Sequence, residues 1–175
     1  MAKKNSVTMK MIQEDYNKYN ETFDIEFERA NENGEMKTYT IQLYPYFKPE
    51  RITKVLENIK KDVTEIEKHD ELKLSNELMP IFVIYHAILE FTNLPKPLSK
   101  NIEKRISHFQ QFINTDYFKM VEEHLIQSEM DKVWDSLMSA VIANEKINRM
   151  HNKIQNLNLQ SPELKAHIQK RIPEA

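Results

Sequence analysis

The chain has 175 residues, 40% of them apolar and 30% charged, with a net charge of -2. That length supports one core burying about 70% of the surface exposed by the unfolded chain, and the balanced charge is neither the basic footprint of a nucleic-acid binder nor an acidic tail. The absence of cysteine excludes disulfides, thiolate nucleophiles and sulfur-ligated zinc, and the single glycine, Gly34, excludes the glycine-rich loops that cradle phosphates.

The first stretch, "MAKKNSVTMKMIQEDY", has basic residues without a following apolar run, so it does not match a secretory signal. With no cysteine, this suits the cytosol. Next, Phe23, Ile25 and Phe27 alternate with acids, and Tyr39, Ile41 and Leu43 alternate with polar residues, the period of strands with one apolar face. Asn33-Gly34 between them favours a reversal, predicting a hairpin over about residues 22–44 that helices must cover, because an isolated hairpin is marginal in water. At "YPYFKPER" the period changes. Pro49 suits the first turn of a helix, and Tyr44, Tyr46 and Phe47 are either packing residues where hairpin meets helix or an aromatic rim that grips a partner.

From Pro49, the residues Ile52, Val55, Leu56, Ile59, Val63 and Ile66 recur at helical spacing, predicting an amphipathic helix of about five turns. After the polar connection "HDELKLSNE", the run "LMPIFVIYHAIL" is too short to span a bilayer and predicts a buried central helix from about Leu78, with Pro80 in its first turn. "TNLPKP" ends it. Ser99 is placed to cap a helix carrying Ile102, Ile106, Phe109 and Ile113, and Thr115 to begin a short one carrying Tyr117, Phe118, Val121 and Leu125. Ser128 with Asp131 resembles a capping box ahead of Met130, Val133, Trp134, Leu137 and Val141. Ile147, Met150, Ile154 and Leu157 continue in steps of three and four as a short coiled-coil seam, which must dock on its own core, a copy of itself or a partner. "SPEL" begins a final turn or two. The predicted fold is mainly α: a helical bundle of about five or six helices with a small N-terminal β-hairpin. Residues 1–150 form one domain, with helices over about 49–150, and 151–175 a helical or flexible extension.

His86 and Glu90 lie one turn apart and raise the idea of a metal-dependent enzyme, but two ligands do not make a site. A buried histidine satisfied by Glu90 or backbone is the simpler account, and His124 beside Glu122 and Glu123 fits a solvated face. "ELK" at 71–73 with Asp62 upstream matches a nuclease pattern only superficially, since it lies in a polar loop rather than on a rigid strand. Lys100, Lys104 and Arg105, and Lys165, Lys170 and Arg171, are too interleaved or too few for a phosphate-backbone binder and fit solvated faces. Of the nine methionines, Met9, Met11, Met138 and Met150 are candidates for exposure on a surface accepting apolar partners. No metal, cofactor, nucleic acid or membrane is implied.

The order "YNETFDIEF", hairpin, "YPYFKPERI" leading into an amphipathic helix, then helices ending in "MDKVWDSL" resembles the tail assembly chaperones of long-tailed phages and prophages of Gram-positive bacteria, over about residues 16–145. The resemblance implies a small, mainly helical, non-enzymatic protein that shields the long apolar tape-measure protein before tail-tube subunits polymerise around it. It transfers no site residue by motif. Within that expectation Ile147, Met150, Ile154, Leu157, Tyr44, Tyr46 and Phe47 are candidates for contact with a protein client, the seam also serving self-association. A regulatory or anti-defence adaptor that binds a folded host protein through the same surface is the alternative.

Overall fold

The computed structural model describes residues 6–69, 71, 72, 74–97 and 99–155, with side chains described through residue 146. Two units emerge, residues 1–133 and 134–175. The first begins with α1, Met9–Lys18, whose start is fixed by Thr8 Oγ1 accepting a hydrogen bond from the Met11 N–H at 3.3 Å. This helix lies outside the predicted elements, and none of its residues is buried.

Strands β1, Phe23–Ala30, and β2, Met36–Leu43, form the predicted antiparallel hairpin, with Ile25 opposite Ile41 and Phe27 opposite Tyr39. The turn runs over residues 31–35. Asn31 Oδ1 accepts from the N–H groups of Asn33 at 2.9 Å and Glu35 at 3.0 Å, and Gly34 takes a φ of 80°, a conformation that a Cβ disfavours.

Helix α2, Pro49–Ile66, starts with its proline where the missing donor is harmless, and α3, Leu78–Phe91, carries Pro80 in its first turn as expected. From Phe82 to Phe91 only Ile84 and Glu90 are not fully buried, so α3 is the central element. Packed around it are α2, α4 (Ile102–Ile113) and α5 (Asp116–Glu122). The hairpin is joined to this core by backbone: the Tyr44 N–H donates to Phe91 O at 2.8 Å and the Asn93 N–H to Gln42 O at 3.1 Å. In return the Gln42 N–H donates to Asn93 Oδ1 at 2.9 Å. These bonds satisfy groups on β2 that an isolated hairpin would leave to water, while Ile25, Ile41 and Leu43 are buried on its apolar face.

Two predicted helix starts are corrected. Asn101, not Ser99, caps α4, its Oδ1 accepting from the Lys104 N–H at 3.0 Å, while Ser99 Oγ accepts from the Asn101 N–H at 3.1 Å one step earlier. Both residues are good caps, and the one directly ahead of Ile102 takes the position. The last helix, α6, runs Gln127–Gln155, so Ser128 lies inside its first turn, and the Asp131 carboxylate accepts from Gln127 Nε2 at 2.8 Å instead of closing a capping box.

In the first unit α6 buries Met130 and Val133. In the second unit, α6 continues from Trp134 with Met138, Val141 and Ile142 exposed. Ile147, Met150 and Ile154 belong to this helix by backbone, but their side chains fall outside the described residues, as do Leu157 and "SPEL" entirely. Among the described residues the chain is mainly α, six helices with one small N-terminal hairpin, and no helix is long and apolar enough to cross a membrane.

Candidate functional site

At the proline-aromatic joint Phe47 is only 1% exposed and lies flat on Phe91, ring centroids 3.6 Å apart and planes 4° apart. Its backbone N–H, beyond the end of β2 and before α2, donates to the buried Glu129 carboxylate at 3.0 Å, which in turn accepts from Lys132 Nζ at 2.6 to 2.7 Å. A ring so placed offers nothing to a partner, so Phe47 is core rather than a contact residue. Tyr44 and Tyr46 are half-buried, and the Arg51 guanidinium stands 4.0 Å from the Tyr44 ring centroid, a cation–π arrangement that also shields the ring.

A second polar cluster ties the three central helices together. Asp62 from α2, His86 from α3 and Arg105 from α4 all stand at least nine-tenths buried by side chain. One terminal nitrogen of Arg105 lies 2.8 Å from Asp62 Oδ1, and His86 Nε2 lies 3.6 Å from Oδ2. Neither contact has the alignment of a hydrogen bond: His86 Nε2, Arg105 Nε and that terminal nitrogen are buried without an acceptor or donor partner. The attraction between Asp62 and Arg105 is therefore coulombic, and it competes with desolvation. Burial pushes Asp62 above the usual carboxylate range despite Arg105, and burial, with Arg105 adding to it, pushes His86 down to about 4. The imidazole is thus neutral at pH 7. Tyr85 lies alongside, its phenol pushed up by burial and then by the Asp62 charge, and its oxygen is 2.8 Å from His108 Nδ1.

This placement revises two expectations. Glu90 is not the partner of His86, because its carboxylate binds Lys96 Nζ at 2.6 Å. Arg105 is not a solvated cation but the counter-charge of a buried acid. Among the described residues no three His, Asp or Glu side chains converge as metal ligands. His124, by contrast, is exposed as expected, stacked on Phe23 with centroids 5.5 Å apart.

The cluster borders a cleft of about 310 Å³ between α2, α3 and the segment leading into α4. Lys61, Lys96 and Lys100 stand around it with Arg105, against the carboxylates of Asp62 and Glu90. Elsewhere, eight of the twelve exposed large apolar side chains among the described residues lie on or beside two helices, while Phe23, Met36 and Tyr39 are on the hairpin and Ile126 precedes α6. Those on and beside α1 are Val7, Met9, Met11, Ile12 and Tyr16, and those in the second unit are Met138, Val141 and Ile142 on α6. Three of the four methionines singled out for exposure are exposed, Met9 at 78% the most, and Met150 lies outside the described side chains.

Hairpin, central helix and buried ionic cluster define a small, helix-rich protein with most of the exposed large apolar side chains among its described residues on helices. The chain belongs to the YomO family, whose family model matches residues 9–172. It is 24% identical over 165 residues to the SPbeta prophage-derived uncharacterized protein YomO of Bacillus subtilis (strain 168), a match covering 93% of this chain and 92% of that protein. No solved structure matches the chain.

Proposed function

We propose that this is a non-enzymatic protein-binding protein of phage or prophage origin, a tail assembly chaperone that shields an apolar helical client, the tape-measure protein. The observation that carries the reading is α1. It is a capped, amphipathic helix that buries none of its residues and presents Met9, Met11, Ile12 and Tyr16 to solvent. A helix of that length is marginal alone in water, and flexible methionine side chains adapt to varied apolar partners. Met138, Val141 and Ile142 on α6 supply a second such stripe, and the sequence-predicted contact residues Ile147, Met150, Ile154 and Leu157 follow it in the chain. The prophage-derived relative supports the phage origin. That both carboxylates in the cleft are paired, Asp62 with Arg105 and Glu90 with Lys96, supports a role without catalysis.

The test is co-expression with the tape-measure protein of a long-tailed phage. A larger soluble fraction of that client is expected with the chain than without it, and the gain is expected to fall when Met9, Ile12 and Tyr16 are changed to serine. No gain in solubility overturns the reading.

A further inference from the structure

The hairpin has no part in the reading above, and one edge of its backbone is open. Gln42 of β2 donates its N–H to the Asn93 side chain and accepts at its C=O from the Asn93 N–H, on the side away from β1. Its partner across the hairpin is Asp24. In an antiparallel ladder, pairs that bond each other alternate with pairs whose backbone groups turn outward, so Asp24, Glu26, Glu28 and Ala30 turn theirs to the outer edge of β1. Among the described residues no hydrogen bond reaches those groups, and all four residues are exposed. An eight-residue strand with such an edge is a template for a further strand.

The alternation of side chains decides what that strand must carry. On one face Asp24, Glu26 and Glu28 stand in a row opposite the neutral Gln42, Thr40 and Thr38. Among the described residues no cation lies within ion-pair distance of these three acids. On the other face Phe23 stacks on His124 and Phe27 meets the edge of Tyr117, yet Phe23 remains 46% exposed. A groove of about 450 Å³ lies there between β1 and α5, with Phe27, Arg29, Tyr117 and Met120 among its walls. Side chains of an added strand stand about 4.5–5.5 Å from those they face. Lysine or arginine at alternate positions meets the uncompensated acids, and apolar residues between them cover Phe23 and enter the groove. The β1 strand of a second copy would set acid against acid and is disfavoured.

We propose that the open edge of β1 docks an extended segment of a partner protein as a third strand, one in which basic residues alternate with apolar ones. The site uses neither α1 nor α6, so it stands or falls separately from the client-shielding role.

The isotope-labelled full-length protein is titrated with an acetylated, amidated octapeptide that alternates lysine and valine, and its backbone amides are followed by NMR. Saturable shifts are expected at Asp24, Glu26 and Glu28, with a dissociation constant of about 1 mM or tighter. Peptides methylated at the backbone nitrogens of either the lysines or the valines test the ladder itself. Loss of binding with the first assigns an antiparallel strand, whose residues opposite the acids donate to β1, and loss with the second assigns a parallel one. The Glu26→Lys/Glu28→Lys variant, altered only at exposed side chains, is expected to keep the native circular dichroism, to bind the lysine–valine peptide about tenfold more weakly, and to gain binding of a glutamate–valine peptide. No saturable shift along β1, binding that both methylated peptides retain, or an affinity indifferent to the charge reversal overturns the proposal. Concentration-dependent shifts of the same amides without peptide assign the edge to a second copy and overturn it as well.

Discussion

Replacing Arg105 with methionine tests the buried cluster most sharply. The substitution keeps much of the side chain's length and apolar contact, and removes the one cation within 2.8 Å of a carboxylate that is 9% exposed. An ion left in the interior without its partner costs about 3–5 kcal/mol, a large share of the about 5–15 kcal/mol that holds a domain of this kind together. The cost should depend on pH, and its sign follows from Asp62. Burial already raises the folded-state pKa of Asp62 above its unfolded value. Its contribution to stability is therefore full in acid and lost as pH rises through the folded value. Removing Arg105 takes away the opposing pull, raises that value further, and widens the window in which ionisation is penalised. Urea denaturation of the Arg105→Met protein should then show its full loss near neutral pH, shrinking by up to about 1.4 kcal/mol per pH unit on acidification as Asp62 takes up a proton. Asp62→Asn in the Arg105→Met background should restore part of the loss, since the two changes are coupled through one contact. A loss under about 1 kcal/mol, or one that is the same at pH 4 and pH 7, would refute the assignment of Asp62 and Arg105 as a buried, desolvated pair.

Three further outcomes are expected. His86 is depressed to about 4 from 6.5, so its contribution is present above pH 6.5 and lost as pH falls toward 4, a term of about 3 kcal/mol that opposes Asp62; the difference between wild-type and His86→Gln urea midpoints should narrow across that window. Glu129→Ala should cost about 1–3 kcal/mol and speed amide exchange at Phe47, whose N–H loses its acceptor, whereas Glu129→Gln, which keeps an oxygen there, should cost less. Gly34→Ala should lower stability by about 1 kcal/mol in a thermal melt through backbone conformation alone, because φ is 80° and no atom lies within 4 Å of the added Cβ.

The fold was largely legible because its elements obey simple periods. Alternation at Phe23 to Phe27 and Tyr39 to Leu43 marked the strands, the i, i+3, i+4 rows marked α2 and α4, and the unbroken apolar run from Ile81 marked the central helix. Missing α1 has a physical cause: its stripe of Met9, Ile12 and Tyr16 is short and stays exposed, so only the Thr8 cap announced it. The cluster was less legible, because each member looks ordinary on its own helix. Asp62 stands between Ile59 and Ile66 on the buried stripe of α2, and Arg105 between Ile102 and Phe109 on that of α4. A charge interrupting each apolar stripe was the available signal, and it pointed to a partner across the core. Spacing along one helix suggested Glu90 for His86, whereas three-dimensional packing supplied Asp62 and gave Glu90 to Lys96. No pattern in the sequence pairs the Phe47 amide with Glu129, since the two meet only after hairpin, core and α6 are assembled.

The claim beneath the functional reading is that solvent-facing apolar helices, rather than reactive groups, are what this protein works with. Amide hydrogen exchange on the chain mixed with a purified helical segment of a tape-measure protein addresses it directly. Protection is expected over Met9–Lys18 and around Met138 to Ile142, with the amides lining the Asp62–Arg105 cleft unchanged. Exchange that is unaltered on both helices, or slowed only around the cleft, would contradict it.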